Sequence, residues 1–189
     1  MPNKLDFDES NHTYTLDGRR LISVTQALSI LDDRWKVDPF YLERGRLIHL
    51  ATEYYDNDEL DESTVDERIR PYLEAYKKFC KDTHFAVQWI EYKLSHPSYQ
   101  YAGKIDKIGQ LNGCLVIIDL KSGAKAKVDE LQAIAYRELC LVNNIPVKKQ
   151  FDLYLHDDGT YKLEPVEIPK RLMPIFLACL KIAQYREGL

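Results

Sequence analysis

The chain alternates between two hydrophobic periods, and the change from one to the other predicts where helices give way to strands. A period of two on either side of Asp17-Gly18 predicts a hairpin over residues 12–25. Helical spacing is found over residues 24–31, 38–55, 65–81, 129–143 and 170–186. Strands are predicted over residues 86–94, 99–108, 114–120, 151–155 and 161–168. This order predicts an α/β fold with a mixed central β-sheet flanked by helices.

Several helices carry a recognisable start signal. Ser23 followed by Gln26 forms a capping box, Asp38 precedes a proline at the first helical position, and Asp129 can cap the fourth helix. A length of 189 residues suffices for one domain with a core. We therefore expect a single domain over 1–189, made of a hairpin and helical part (1–84), a sheet core (85–168) and a C-terminal helix (169–189).

Composition and charge exclude several classes of protein. The net charge of −4 argues against a protein that coats nucleic acid, although it allows an enzyme with a local basic groove. No apolar run approaches the ~20 residues of a membrane span, and the first residues lack an apolar signal region. We therefore expect a cytoplasmic protein without membrane contact. The four cysteines fit no Cys-x-x-Cys pattern, so we expect reduced thiols rather than a zinc or iron–sulfur site.

The most informative stretch is the hairpin YAGKIDKIGQLNGCLVIIDLKSG. Its Asn-Gly pair is a strong signal for a two-residue turn. A symmetric turn there places Asp106 directly opposite Asp119, and Lys104 opposite Lys121. The period of two puts all four side chains on one face, with opposed Cβ atoms ~5 Å apart. Two carboxylates at that distance repel each other unless a cation lies between them.

A divalent cation is the simplest partner for this pair of acids, because hard oxygen ligands suit Mg²⁺ or Mn²⁺. Lys121 lies two residues beyond Asp119 and could orient a water or stabilise charge that develops on a phosphate. A surface hairpin with cross-strand acids and lysines is the alternative. The apolar run from Leu115 to Ile118 favours a functional site over a surface hairpin. A strand with this pattern is buried on both faces, and charged residues at the end of a buried strand are typical of functional sites.

At these residues the chain resembles the PD-(D/E)XK nuclease superfamily, and within it the RecB-like exonucleases. The matching run begins at Gly103 and continues through the Asp-Leu-Lys triplet that starts at Asp119. The resemblance implies a restriction-endonuclease-like fold in which a metal is held by Asp106, Asp119 and the backbone carbonyl of Leu120. It also implies that Lys121 is the catalytic lysine. Many relatives carry a cysteine cluster for an iron–sulfur centre, which this chain cannot form, so none is expected.

Further motifs of the same family lie on either side of the hairpin. Gly45-x-x-x-His49 is similar to its Gly-x-x-x-His motif, whose histidine implies a third metal ligand. Gln132-x-x-x-Tyr136 is similar to its Gln-x-x-x-Tyr motif, and Glu91 stands where members often carry a glutamate, which implies a possible further ligand. The front of the chain, LISVTQALSIL, looks like small phage-type exonucleases and the mitochondrial genome-maintenance exonuclease. That likeness implies a phage or prophage origin.

These helical candidates also have ordinary structural interpretations. Gly45, His49 and Glu53 are spaced by four and share a helix face. A histidine there can pack against its neighbours, and Glu53 can be a partner of that histidine or a solvated acid. Gln132 and Tyr136 lie one turn apart and would contact a phosphate or base, hold the catalytic lysine, or form a polar edge of the helix.

Further candidates for substrate binding lie on the loop after the catalytic strand and among the aromatic residues. Ser122, Lys125 and Lys127 would support the substrate, with the lysines as point charges for phosphate, unless this loop is simply solvated. Candidates for stacking on single-stranded bases are Trp35, Tyr54 and Tyr55. Aromatic residues at helical spacing are usually core, so both interpretations stay open for these three.

Together, the residues and the resemblance predict a Mg²⁺- or Mn²⁺-dependent deoxyribonuclease, an exonuclease rather than an endonuclease, which hydrolyses phosphodiester bonds in recombination, repair or phage DNA processing. Its partners would be DNA ends or single-stranded DNA, together with a possible recombination or replication protein. A structure-selective or single-strand endonuclease would use the same residues. The remaining alternatives are a DNA-binding protein with a decayed site and an interaction module that mimics DNA through the acidic stretch 56–67.

Overall fold

The structure, a computed structural model, describes residues 5–9, 11–31 and 38–189 and contains one mixed sheet of eight strands. The strands are β1 (Leu5–Asp8), β2 (Thr13–Leu16), β3 (Arg19–Ser23), β4 (Ala86–Ser95), β5 (Tyr101–Leu111), β6 (Cys114–Lys121), β7 (Lys149–Leu155) and β8 (Tyr161–Pro165). The helices are α1 (Val24–Leu28), α2 (Pro39–Asp56), α3 (Arg70–Thr83), α4 (Lys127–Val142) and α5 (Leu172–Arg186).

The strand order along the sheet is β1-β2-β3-β5-β6-β7-β8, and β4 also pairs with β5. The β3–β5 and β6–β7 pairs are parallel, and the other pairs are antiparallel. The predicted fold class, a mixed α/β sheet flanked by helices, is therefore confirmed. Within the described ranges, no helix is both long and apolar enough to cross a membrane.

Helices cover both faces of the sheet, because the central strands are apolar on both sides. Ile117 packs in a core with α1, α4 and α5. Its neighbours Val116 and Ile118 pack in a second core with α2 and α3. The continuous apolar run of β6 therefore serves two cores at once. Asp119 follows two residues after Ile117, so it faces the same side as α4.

Both predicted tight turns are present. Asp17 and Gly18 have φ values of 49° and 80°, and Asn112 and Gly113 have φ values of 51° and 73°. Positive φ at both central residues is what a type I′ hairpin turn requires. The β5–β6 ladder runs from the Lys107–Ile118 pair to the pair that flanks the turn. This is the predicted register, and Asp106 and Asp119 lie one position beyond its last pair.

The element boundaries differ from the expectation at three places. Asp129 is the third residue of α4 rather than its N-cap, and its Oδ2 accepts a 2.7 Å hydrogen bond from the backbone N–H of Ala126. The helix predicted over 65–81 begins only at Arg70; of the two roles that the sequence allows Pro71, a kink or a restart, the structure has the restart, because a proline lacks the N–H that an interior position needs. β1 has no counterpart in the sequence-based assignment. The predicted single domain and its internal boundaries stay a prediction.

Candidate metal centre

One histidine and two carboxylates, each from a different element, converge where β5 and β6 stop pairing. They are His49 on α2, Glu91 on β4 and Asp106 on β5. Nδ1 of His49 lies 3.5 Å from Oε1 of Glu91 and 3.5 Å from Oδ1 of Asp106. One ligand atom from each of the three residues lies within 4.8 Å of the others. The spacing between these atoms allows one cation to contact all three groups.

The two oxygens of Asp106 have separate partners. Oδ2 accepts a 2.8 Å hydrogen bond from the backbone N–H of Leu120, the residue after Asp119. Oδ1 faces His49. The side chain of Asp106 is 11% exposed, so this carboxylate is largely removed from water. The hydrogen bond fixes its orientation and leaves one oxygen directed at the cluster.

Glu91 has a backbone conformation that is rare for a non-glycine residue, with φ at 46°. Such a conformation costs free energy and persists where surrounding contacts enforce it. The Glu91 side chain is 9% exposed, and its Oε1 atom is buried without a hydrogen-bond partner among the described residues. Its other oxygen pairs with Lys104. The prediction that Lys104 lies opposite Lys121 is therefore wrong, because β5 and β6 separate before that position and Lys104 turns to Glu91.

The cluster perturbs the pKa values of its own members. Burial raises the pKa of Asp106 to about 7, helped by repulsion from Asp119 and Glu91 and opposed by His49. Burial would lower the pKa of His49, but the carboxylates of Asp106 and Glu91 outweigh it and raise the value to about 9. Burial also opposes ionisation of Glu91, yet the positive charges of His49 and Lys104 beside it hold its pKa at about 2.

Lys121 is held by a set of polar contacts beside the cluster. Its Nζ lies 2.5 Å from Oδ2 of Asp119 and 3.4 Å from Oδ1 of Asp129, and it donates to Oε1 of Gln132 at 3.2 Å. Burial opposes its charge, but the two carboxylates prevail and raise its pKa. Nε2 of Gln132 in turn donates to the hydroxyl of Tyr136 at 3.1 Å. Of the predicted alternatives for Gln132 and Tyr136, this geometry corresponds to holding the lysine.

Gly103 lets α4 approach the sheet closely. A Cβ atom at this position would lie 2.8 Å from Cε1 of Tyr136 and 3.0 Å from Cδ1 of Leu139. The contact with Tyr136 is shorter than real Cβ atoms show and the contact with Leu139 is tight, so any larger residue must displace the tyrosine. The glycine of the matched motif therefore has a packing role, since it allows the buried ring of Tyr136 to back the site.

The loop after β6 is attached to α2. Nη2 of Arg44 donates to the carbonyl oxygen of Ser122 at 3.0 Å. A Cβ atom at Gly45 would lie 3.7 Å from Oγ of Ser122, which is ordinary contact and would not force a glycine. Lys125 extends away to Glu164, with 3.5 Å between Nζ and Oε2, and Lys127 is exposed. Neither lysine lines a cavity at the cluster.

A cavity of about 260 Å³, here called the Lys121 cavity, lies between the cluster and this loop. Its lining combines cluster residues with residues of β6 and the loop, namely His49, Asp106, Asp119, Leu120, Lys121 and Ser122. Asp119 therefore lines the same space as His49 of α2 and Asp106 of β5. A phosphate group that enters this space meets the acids and the lysine together.

The acidic stretch 56–67 is largely an exposed connection, but the side chain of its first residue, Asp56, is buried. Asp56 is 5% exposed and forms a 2.6 Å ion pair with Lys107, which is fully buried. Tyr76 also donates its hydroxyl to Asp56, at 2.9 and 3.0 Å to the two oxygens. The neighbouring acids Glu62, Asp66 and Glu67 pair with Lys77, Arg68 and Arg70. These local pairs involve four of the seven acids of the stretch, and Asp58, Glu59 and Asp61 are exposed.

The two described aromatic candidates for base stacking, Tyr54 and Tyr55, differ in exposure. Tyr54 is 44% exposed, whereas Tyr55 packs edge-on against Tyr76 with ring centroids 6.0 Å apart. Trp35 lies outside the described residues. Glu53 lines a larger cavity beside His49.

Sequence reasoning missed one acid close to the lysine. Asp152 on β7 is directly paired with Asp119 in the parallel β6–β7 ladder, and it is 3% exposed. Burial raises the pKa of Asp152 to about 6, with Asp119 and Asp129 adding to the rise and Lys121 opposing it. The juxtaposition depends on how two parallel strands align, for which the chain offers no local signal.

Comparisons with known proteins give structural neighbours only. No protein-family model matches the chain, and neither does any curated protein. A crystal structure of LHK-Exo in complex with dAMP is 12% identical, with a TM-score of 0.49 over 88% of this chain and 87% of that one. The alkaline exonuclease LHK-Exo from Laribacter hongkongensis is 9% identical, with a TM-score of 0.46 over 88% and 87% of the two chains. SSO0001 is 15% identical, with a TM-score of 0.46 over 87% and 75%. All three scores lie below 0.5, so the functional proposal rests on the cluster itself.

Proposed function

We propose that the chain is a metal-dependent deoxyribonuclease of the RecB-like branch, which hydrolyses phosphodiester bonds at DNA ends. The observation that carries the proposal is the group of His49, Glu91 and Asp106, with ligand atoms within 4.8 Å of one another and both carboxylates largely buried, next to an ion pair between Asp119 and Lys121. Carboxylates concentrated in a buried space are costly unless a cation compensates them.

The residues present fit a hard divalent cation. The buried Oε1 atom of Glu91 has no hydrogen-bond partner among the described residues, and Oδ1 of Asp106 faces the same space. An oxygen-rich set with one imidazole suits Mg²⁺ or Mn²⁺. We assign His49, Asp106, Asp119 and the carbonyl of Leu120 as ligands, with Glu91 as a further ligand. An ion bound there would act as a Lewis acid on the scissile phosphate and would lower the pKa of water.

The residues around the proposed ion would each have a separate role. The hydrogen bond from Leu120 keeps one oxygen of Asp106 occupied, so the other oxygen stays directed at the cluster. Lys121 remains protonated beside Asp119 and Asp129, so it can donate a hydrogen bond to the attacking water or to a phosphate oxygen. Gln132 and Tyr136 hold that ammonium group in position. Ser122, which lines the Lys121 cavity beside Gly45, is assigned a supporting contact with the substrate strand. Lys125 and Lys127 would contact only a strand that extends past the cavity.

Hydrolysis of defined DNA substrates tests the proposal. The wild type is incubated with Mg²⁺ or Mn²⁺ and with end-labelled linear single strands, linear duplexes and covalently closed circular single strands. Asp119→Asn and Lys121→Met should each abolish cleavage of the linear substrates. Asp157→Asn, which changes an exposed carboxylate far along the chain, is the matched control and should cleave as the wild type does.

The closed circle distinguishes the two modes of cleavage. An exonuclease leaves it intact, and a structure-selective or single-strand endonuclease opens it with the same residues. Full activity in Asp119→Asn and Lys121→Met would overturn the site. DNA binding without any turnover in the wild type would favour the decayed-site alternative.

A further inference from the structure

A larger cavity, of about 550 Å³, meets the Lys121 cavity at the cluster. We call it the hairpin cavity, because part of its wall comes from β1, β2 and the turn between them. His49 and Asp106 line both cavities, and Glu91 lines the larger one. A DNA strand whose phosphate lies at the cluster therefore has room for a neighbouring nucleoside in the hairpin cavity.

One wall of the hairpin cavity is aromatic. Phe7 and Tyr14 pack with ring centroids 4.4 Å apart, and His12 approaches Phe7 edge-on at 5.2 Å. Tyr14 is 1% exposed, so it forms a rigid backing. Phe7 is half-buried, with Nζ of Lys93 5.1 Å from its ring centroid, and His12 is exposed, so a base would reach His12 and the part of Phe7 that faces the cavity. Aromatic side chains on a sheet commonly stack with unpaired bases, whichever base is present.

The charges around the hairpin cavity fit a base rather than a second phosphate. Its cations already have partners: Lys104 pairs with Glu91, and Arg46 pairs with Glu43 at 2.7 Å. Two further acids, Glu9 and Glu53, line the same space. Carboxylates repel a phosphate but accept hydrogen bonds from the amino groups of bases. The phosphate is thus directed to the cluster and the base to the aromatic wall.

The size of the hairpin cavity limits the substrate. A volume of about 550 Å³ lies in the range of pockets that enclose one small ligand. One nucleotide fits such a space, and a base that lies against the aromatic wall cannot at the same time stay stacked inside a duplex. A nucleotide that enters must be single-stranded or must leave its stack, and unstacking costs least where a strand is already unpaired.

We propose that the hairpin cavity receives an unpaired nucleoside next to the scissile phosphate, with its base against Phe7 and His12, so that the substrate is single-stranded DNA or a frayed end. This inference rests on the proposed nuclease function and adds the strand state that the site accepts. Phe7 and His12 are assigned as substrate-binding residues.

Fluorescence of 2-aminopurine tests the occupancy. Octanucleotides with this base at either end or in the middle are titrated into the Lys121→Met protein with Ca²⁺, which limits turnover. Binding should quench the fluorescence for at least one position, and Phe7→Leu should remove the quenching and weaken binding about ten-fold. Phe7→Tyr restores the ring and should restore both signals. Tyr185→Leu, an aromatic residue that is 86% exposed on α5, is the matched control and should change neither.

Two results would overturn the inference. One is binding and quenching by Phe7→Leu equal to those of its parent, with both proteins folded by circular dichroism. The other is equally tight binding of a blunt duplex and a single strand. Failure of the proposed function would give a different set of results. If the wild type cleaves DNA but Phe7→Leu changes neither binding nor quenching, this inference alone is overturned. A wild type that quenches 2-aminopurine but cleaves no DNA overturns the nuclease proposal.

Discussion

The backbone N–H of Leu120 donates a 2.8 Å hydrogen bond to Oδ2 of Asp106. This contact joins β6 to the Asp106 carboxylate one position beyond the last pair of the β5–β6 ladder. It fixes one oxygen of Asp106, while the other oxygen of that carboxylate lies 3.5 Å from Nδ1 of His49. A hydrogen bond therefore links β6 directly to Asp106, the proposed metal ligand.

Asp106→Asn should separate the structural role of this residue from its charge. Asparagine keeps an oxygen for Leu120 but presents a neutral amide to the cluster, so activity should fall more than about a hundred-fold. The pKa of Asp106 is raised to about 7, so the folded protein without metal binds more protons than the unfolded chain between about pH 4 and pH 7. Its stability falls as the pH rises through that window. Asparagine should therefore raise the melting temperature of the metal-free protein at pH 8.

Thermal denaturation with and without Mn²⁺ measures both effects of Asp106→Asn. The wild type should be stabilised by Mn²⁺ at pH 8, and the variant should melt at a higher temperature without the ion and respond little to it. An equal Mn²⁺-induced shift in the variant and in the wild type would remove Asp106 from the ligand set.

Metal binding should release protons. His49 has a pKa raised to about 9 and Asp106 a pKa raised to about 7, and both groups must be deprotonated to bind an ion. As the pH rises from 6 to 9, these protons leave the free protein, so the apparent affinity for Mn²⁺ should increase. Isothermal titration at pH 6.5 in two buffers of different ionisation enthalpy counts the protons. Identical enthalpies in the two buffers would contradict the assignment.

Gln132→Leu should act through Lys121. The substitution keeps similar volume but removes the acceptor 3.2 Å from the ammonium group, so kcat should fall about ten-fold while the affinity for Mn²⁺ is unchanged. Lys121→Met should lower kcat more than about a hundred-fold. The double variant should be no slower than Lys121→Met, because the two residues act as one unit. Additive losses together with a raised KM would instead indicate that Gln132 contacts the substrate.

The buried pair of Lys107 and Asp56 should control stability. Lys107→Met leaves a buried carboxylate without its cation and should cost about 3–5 kcal/mol of unfolding free energy. Lys107→Met combined with Asp56→Asn removes both charges and keeps an acceptor for the Tyr76 hydroxyl, so it should recover most of that loss. Urea denaturation measures the free energies. A double variant as unstable as Lys107→Met alone would refute this account of the pair.

Local signals in the sequence predicted a large part of the fold. The Asn112-Gly113 turn allows one hairpin register, which is why the pairing of β5 with β6 could be predicted and agrees with the structure. The capping box at Ser23 and the start at Asp38 also agree, because each depends on residues within one helical turn.

Non-local features explain what sequence reasoning missed. Glu91 adopts its positive φ because of its tertiary surroundings, and a glutamate in the sequence gives no signal for that conformation. Asp152 meets Asp119 only because β6 and β7 pair in parallel. The ion pair of Lys107 with Asp56 joins positions 51 residues apart in the chain, and a lysine in a strand gives no sign that it is buried. The sequence therefore predicts which chemical groups are available, and the tertiary contacts determine which of them lie next to one another.

A crystal soaked in Mn²⁺ and measured at the manganese absorption edge tests the central claim most directly. An anomalous peak is expected about 2.0–2.3 Å from ligand atoms of Asp106 and Asp119, with His49 or Glu91 also in contact. Asp119→Asn, soaked in the same way, should show a weaker peak or none. A wild-type crystal with no manganese between these side chains, at a concentration that supports DNA cleavage, would contradict the account.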